Sequence, residues 1–205
     1  MHALLLATLI SLPLYPVNPI QQDTVALMNV HFSVGISAPN GIISTGGEGS
    51  VRYELLAFHP FVVRGGLEYR IGAISSQRYP EGYLHGATLS AEILGYRGTN
   101  RLTGFFGGGI VVNKYFMHMT GESSDLLSQD LGIDEVGIDP ALGYRITMGL
   151  RIRSNTSIEV NVTSFNTDFV YKTWLSPNQY RQEREPVRFR DFRLTFGYLL
   201  PIFDP

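Results

Sequence analysis

Oily residues recur at every second position through most of this chain. In Pro140–Arg153, Leu142, Tyr144, Ile146, Met148, Leu150 and Ile152 fall on one face of an extended strand. Gly143, Arg145, Thr147, Gly149, Arg151 and Arg153 fall on the other, because strand side chains alternate with period two. Seven further segments read as strands: Val25–Ser37, Val51–Phe58, Phe61–Ser75, Tyr83–Gly95, Leu102–Phe116, Ser157–Phe165 and Val187–Leu200. All but the glycine-rich Leu102–Phe116 alternate cleanly, and the facing of that one stays open. The connections alternate in length. Ala38–Ser50, Ser76–Gly82, Met117–Asp139 and Asn166–Pro186 are long, whereas His59–Pro60, Tyr96–Arg101 and Ser154–Thr156 are short. In an up-and-down barrel successive connections lie on opposite rims, so one rim carries tight turns and the other carries loops, as in outer-membrane barrels. The expected fold is all-β: an eight-stranded antiparallel up-and-down transmembrane β-barrel, with both termini on the tight-turn rim.

The non-oily faces decide which way the strands point. They hold Arg52, Glu54, Arg64, Glu68, Arg70, Glu92, Arg145, Arg151, Arg153, Glu159, Asp191 and Arg193. An arginine facing lipid at mid-bilayer costs about 2–4 kcal/mol. Several of them would exceed the roughly 5–15 kcal/mol that holds a domain together, so these groups are expected inside. Arg64, Glu68, Arg70, Glu92, Arg145, Arg151, Glu159, Asp191 and Arg193 form the expected polar network of the lumen. The expected pairs are Glu92 with Arg64 or Arg70, and Glu159 with Arg151, Arg153 or Arg193. An eight-stranded barrel is just wide enough for side chains to fill it.

Composition sharpens this picture. Charged residues make up 17% of the 205-residue chain and the net charge is -2, which argues against a nucleic-acid surface. There is no cysteine, so no disulfide framework and no thiolate metal site. The aliphatic run Ala3–Leu14 is too short for a spanning helix, which needs about 20 residues, and has the length of a signal-peptide core. Residues 1–22 are therefore expected to be a leader and 23–205 the barrel, exported to the outer membrane of a Gram-negative-type bacterium.

The strand Phe105-Phe106-Gly107-Gly108-Gly109 and the closing segment Phe192–Phe203, with the loop asymmetry, resemble the small outer-membrane barrels of the OmpA/OmpX-like porin family. That resemblance implies outer-membrane lipid and lipopolysaccharide as surroundings. It also implies an extracellular or envelope protein partner reached through the long loops, and no cofactor.

Three local features carry candidate chemistry. His31-Phe32-Ser33 followed by Pro39-Asn40-Gly41 is similar to the pattern of outer-membrane lipid A deacylases, with Glu48 as a conceivable orienting carboxylate. Val34 replaces the asparagine of that pattern, however, and His31 and Ser33 share the lumen face, away from any lipid substrate. The expected protein is not an enzyme. Trp174 and Tyr180, in an aromatic and basic loop, are candidate partner contacts, although the simpler expectation is that Phe169 and Tyr171 extend the preceding strand beyond the bilayer with Trp174 packed on the loop base. The acidic loop Met117–Asp139 matches no calcium-ligand spacing. The expected role is structural or loop-mediated adhesion, with a narrow pore as a variant. The alternatives are a His31/Ser33 deacylase and a soluble lipocalin-like barrel with the opposite polarity.

Overall fold

A computed structural model describes residues 29–37, 43–58, 60–74, 82–99, 101–120, 129, 132–153 and 155–201. The expected leader, 1–22, lies outside them. Nine strands follow one another: β1 Asn29–Ser37, β2 Ile43–Phe58, β3 Phe61–Ile74, β4 Gly82–Gly98, β5 Leu102–Met119, β6 Glu135–Ile138, β7 Ala141–Ile152, β8 Thr156–Ser176 and β9 Gln179–Pro201. All pairings are antiparallel, and β1 pairs with β2 on one side and with β9 on the other, so the sheet closes on itself.

The barrel has eight staves. Both β6 and β7 lie against β8, with Ile138 opposite Phe169 and Gly143 opposite Phe165. They form one stave broken at Asp139-Pro140, where proline has no N–H to give to a ladder. The eight-stranded transmembrane barrel expected from the alternation is the observed fold.

Its polarity is that of a membrane barrel. Phe32, Val34, Leu67, Leu89, Ile110, Leu142, Leu150 and Phe196 stand on the outside, Leu142 with 68% of its surface exposed, while Arg52, Arg64, Glu68, Arg145 and Glu159 are buried inside. A soluble lipocalin-like barrel would have these reversed. The facing of the glycine-rich strand β5 is now clear. Phe105, Val111, Asn113 and Tyr115 point inward, and Phe106, Ile110, Val112 and Phe116 point outward.

Three of the expected loops are shorter than the sequence pattern suggests. Strand β2 begins at Ile43, within the expected loop Ala38–Ser50, and the expected loop Met117–Asp139 yields its first residues to β5 and Glu135–Ile138 to β6. The expected loop Asn166–Pro186 is a β-hairpin, paired from Asn166–Arg188 up to Trp174–Tyr180. Beyond the bilayer a ribbon has no need of an oily outer face, so its alternation fades although its backbone pairing continues.

The oily face changes sides along this hairpin. In β9, Phe192, Leu194 and Phe196 point outward opposite inward Asp191, Arg193 and Thr195. Further out, Phe189 and Val187 are buried inside while Arg188 and Arg190 are exposed outside. In β8, outward Val162 gives way to Ser164 and Asn166, and inward Thr163 gives way to Phe165 and Phe169.

Candidate functional site

Inward positions of β2, β3, β4, β7, β8 and β9 contribute to a continuous ionic layer. Its centre is Glu68 on β3. Arg145 on β7 grips both carboxylate oxygens of Glu68, with Nη2 at 2.6 Å, Arg52 donates from Nε at 3.2 Å, and Arg193 donates at 2.9 Å. Glu159 on β8 accepts from Arg52 Nη1 at 2.7 Å and Arg64 Nη1 at 2.8 Å. Glu92 accepts from Arg64 Nε at 2.8 Å and has the Thr147 hydroxyl at 3.0 Å. Nearer the loop rim, Arg193 bonds Glu48, and Asp191 accepts from Arg70 at 2.7 Å and pairs with Arg193 Nε at 2.9 Å. At the tight-turn rim Arg151 meets Glu54 at 2.6 Å, with the Tyr96 hydroxyl donating to the same carboxylate at 2.9 Å. The Arg151 guanidinium also lies 4.8 Å from the Tyr96 ring centroid.

Arg52, Arg64, Arg70, Arg145, Arg151 and Arg193 thus face Glu48, Glu54, Glu68, Glu92, Glu159 and Asp191, six cations for six anions. Buried charge is tolerated when it is paired and hydrogen-bonded in this way. The arginine forks suit the task because a planar guanidinium reaches two carboxylates at once.

The partners differ in part from those the sequence suggested. Glu92 does pair with Arg64. Glu159 pairs with neither Arg151, Arg153 nor Arg193, its neighbours on adjacent staves, but with Arg52 and Arg64 from β2 and β3 across the lumen. Arginine is long enough to cross a barrel of this width, so nearest-strand proximity is a poor guide. Arg153 is not in the lumen at all: it is exposed in the β7–β8 turn at φ 51°, where the strand has ended. Glu48 was hidden from the network by its place in an expected loop.

His31 and Ser33 have separate hydrogen-bond partners. The imidazole Nε2 lies 2.8 Å from the Ser157 hydroxyl and 3.7 Å from Glu159, and the Ser33 hydroxyl lies 2.5 Å from that of Ser50. A Cβ on Gly197 would land on the His31 ring. Glycine there is what lets the imidazole cross β9 and reach β8. Glu48, the conceivable orienting carboxylate, is engaged by Arg193 instead.

Above the ionic layer, toward the loops, the lumen turns aromatic. Phe165 and Phe189 stack at 4.9 Å and 9°, Tyr115 stacks on Phe165 at 5.8 Å, and Phe169 lies 6.4 Å from Phe189. Ile74, Leu84, Val136, Ile138 and Val187 complete this cluster. The sequence suggests that Phe169 and Tyr171 extend the strand, but not that 179–188 returns beside it to close an inward cluster. Continuing the inward parity of β8 from Glu159 and Thr163 to Phe165 and Phe169 would have shown it.

At the hairpin tip, Trp174 and Tyr180 meet edge to face at 5.4 Å and are each about half exposed. The described acidic residues of the preceding segment serve this hairpin. Asp134 accepts from the Trp174 N–H at 2.8 Å, Glu135 pairs with Lys172 at 3.0 Å, and Asp139 pairs with Arg184 at 2.7 Å.

No family model matches the chain, and no curated protein matches it in sequence. Solved structures do match its fold. The outer membrane protein OprG from Pseudomonas aeruginosa aligns with a TM-score of 0.61 over 86% of this chain and 97% of that chain, at 10% sequence identity. The outer membrane protein AlkL, solved in DMPC lipid bilayers, aligns at 0.49 over 95% of this chain and 99% of that one, with 14% identity. Escherichia coli outer membrane protein W aligns at 0.47 over 87% and 100%, with 12% identity. The OprG alignment, joined to the closed ring and its outward oily face, gives the chain the fold of the small eight-stranded outer-membrane β-barrels.

Proposed function

We propose that the protein is a non-catalytic, integral outer-membrane barrel, exported by a leader within residues 1–22, that acts through its outer hairpin rather than its lumen. The charge-balanced ionic layer carries this reading. Arg52, Arg64, Glu68, Glu92, Arg145 and Glu159 are each within 1% of complete burial, and the aromatic cluster stands above them, which leaves the described lumen filled by side chains. Among the described residues, the part best placed to meet an extracellular or envelope protein is the tip, where Trp174, Leu175 and Tyr180 are exposed beside the basic Arg181. Exposed aromatics beside arginine are typical of contact sites.

Planar-bilayer recording tests the closed lumen: the refolded protein is expected to give no steady conductance, and a stable open level altered by Glu92→Ala would overturn the reading. Trp174 is the only tryptophan of the chain, so its fluorescence reports directly on the tip. A partner that engages it is expected to shift the emission to the blue, and Tyr180→Ala to weaken that binding. The enzymatic alternative is tested by incubation with lipid A. Fatty acid released by the parent and absent with His31→Ala would displace the non-catalytic reading.

A further inference from the structure

Two arginines stand where the apolar wall ends. Phe192, Leu194, Phe196, Tyr198 and Leu200 form the outward row of β9. These nine residues of strand span about 30 Å, and tilted by roughly 40° they match the ~25 Å apolar band of an outer-membrane barrel. The next outward residues are Arg190 and Arg188, both exposed. Among the described residues neither has an ion-pair partner, and Asp168, on the same face of β8, is held by Arg184 at 3.8 Å. The register places Ser164 beside Arg190 and Tyr144 beside Ser164, and the Tyr144 phenol is engaged by Ser164 and Arg188. Two guanidinium forks and a phenol therefore share one outward patch at the outer interface, over the buried Ser164.

A second feature lies on the oily side, one strand away at its nearest edge. An open, shallow groove of about 480 Å³, lined by Ile36, Gly46, Gly47, Ile71, Gly72, Ala73 and Tyr83, runs across the outer wall of β1 to β4. Ile36 is paired with Leu194 on β9. Arg190 is four residues farther out on that strand, about 13 Å away, on the scale of one lipid from headgroup to mid-chain.

We propose that this face holds one phosphate-bearing lipid of the outer leaflet, its phosphate on Arg188 and Arg190 and one acyl chain in the groove beside Ile36. Paired arginines match phosphate oxygens in shape and charge. The groove opens onto hydrocarbon, so an acyl chain is the occupant its surroundings supply. The inference rests on the outer-membrane reading but not on the closed lumen, which conductance tests separately.

Native mass spectrometry of the full chain, released from micelles doped with diphosphorylated lipid A, its dephosphorylated form or phosphatidylcholine, provides the test. The parent is expected to retain one diphosphorylated lipid at least tenfold more than either comparison lipid. In Arg188→Gln/Arg190→Gln that preference is lost. Arg181→Gln, at the hairpin tip, keeps it. A Cβ on Gly47 meets nothing within 4 Å, so Gly47→Leu fills the groove without disturbing the strand and is expected to lower retention of the diphosphorylated lipid. Heat-modifiable migration on gels verifies that each variant is folded. Equal retention of phosphatidylcholine by the parent, or parental retention in either the double arginine variant or Gly47→Leu, would overturn the proposal.

Discussion

On β9, the inward residues Asp191, Arg193 and Thr195 belong to the ionic layer, while Phe189 and Val187, the next two positions toward the loops, belong to an aromatic core. The outward residues change in the opposite sense, from Phe192 to Arg190 and Arg188. The lower barrel is thus oily outside and ionic inside, and the upper hairpin is polar outside and oily inside. The solvent explains both. Where hydrocarbon wets the wall, exposing apolar side chains carries no penalty, and the lumen is the place for charge. Where water wets the wall, the ordinary hydrophobic effect returns and drives aromatic rings inward. The level at which the oily face changes sides marks the outer edge of the bilayer more sharply than any single residue does.

The comparison can be broken most forcefully at its ionic end. Glu68→Gln removes the shared partner of Arg52, Arg145 and Arg193. Arg52 keeps Glu159 and Arg193 keeps Glu48 and Asp191, but among the described residues Arg145 is left with only the Glu92 carboxylate, at 3.6 Å. Weakening the pairing of a buried arginine is expected to cost up to about 3–5 kcal/mol. The urea midpoint in vesicles should fall accordingly, and the loss should be nearly independent of salt, because buried pairs are little screened. A strongly salt-dependent loss would mean that the layer is wet.

Phe189→Ala probes the aromatic end. Deleting a stacked, buried ring costs about 3 kcal/mol in a dry core. The effect is expected to be confined to the upper hairpin, where amide exchange of 165–171 and 184–189 should quicken while amides of the β1–β9 seam stay protected. Equal loosening at both levels would show that the two regions are one cooperative unit. Lys172→Ala is the mildest change. Its half-exposed pair with Glu135 should contribute under about 1 kcal/mol, and that difference should vanish at high salt.

Much of the lower barrel was legible in the sequence because lipid and lumen impose opposite demands on alternate residues. Period two was visible in Leu142–Ile152, and the arginines opposite it fixed the sidedness. The upper hairpin was not legible for the same reason. Around Asn166–Pro186 both faces carry polar residues, so the aromatic and basic segment holding Arg181 and Arg184 gives no alternation although it forms a paired strand. Pairings were legible only as far as geometry is local. Glu92 with Arg64 follows from adjacent strands, whereas Glu159 with Arg52 depends on how far a guanidinium reaches across a closed ring. Arg153 continued the alternation by one residue beyond the point where β7 turned.

The sidedness of the wall can be measured without a single substitution. In bicelles, nuclear Overhauser contacts from lipid acyl chains are expected on the methyls of Ile146, Leu150 and Val162, which stand outside, and to be absent from those of Thr147, Thr163 and Thr195, which are buried inside. Acyl contacts on the threonine methyls, with none on the aliphatic ones, would contradict the orientation on which the ionic lumen depends.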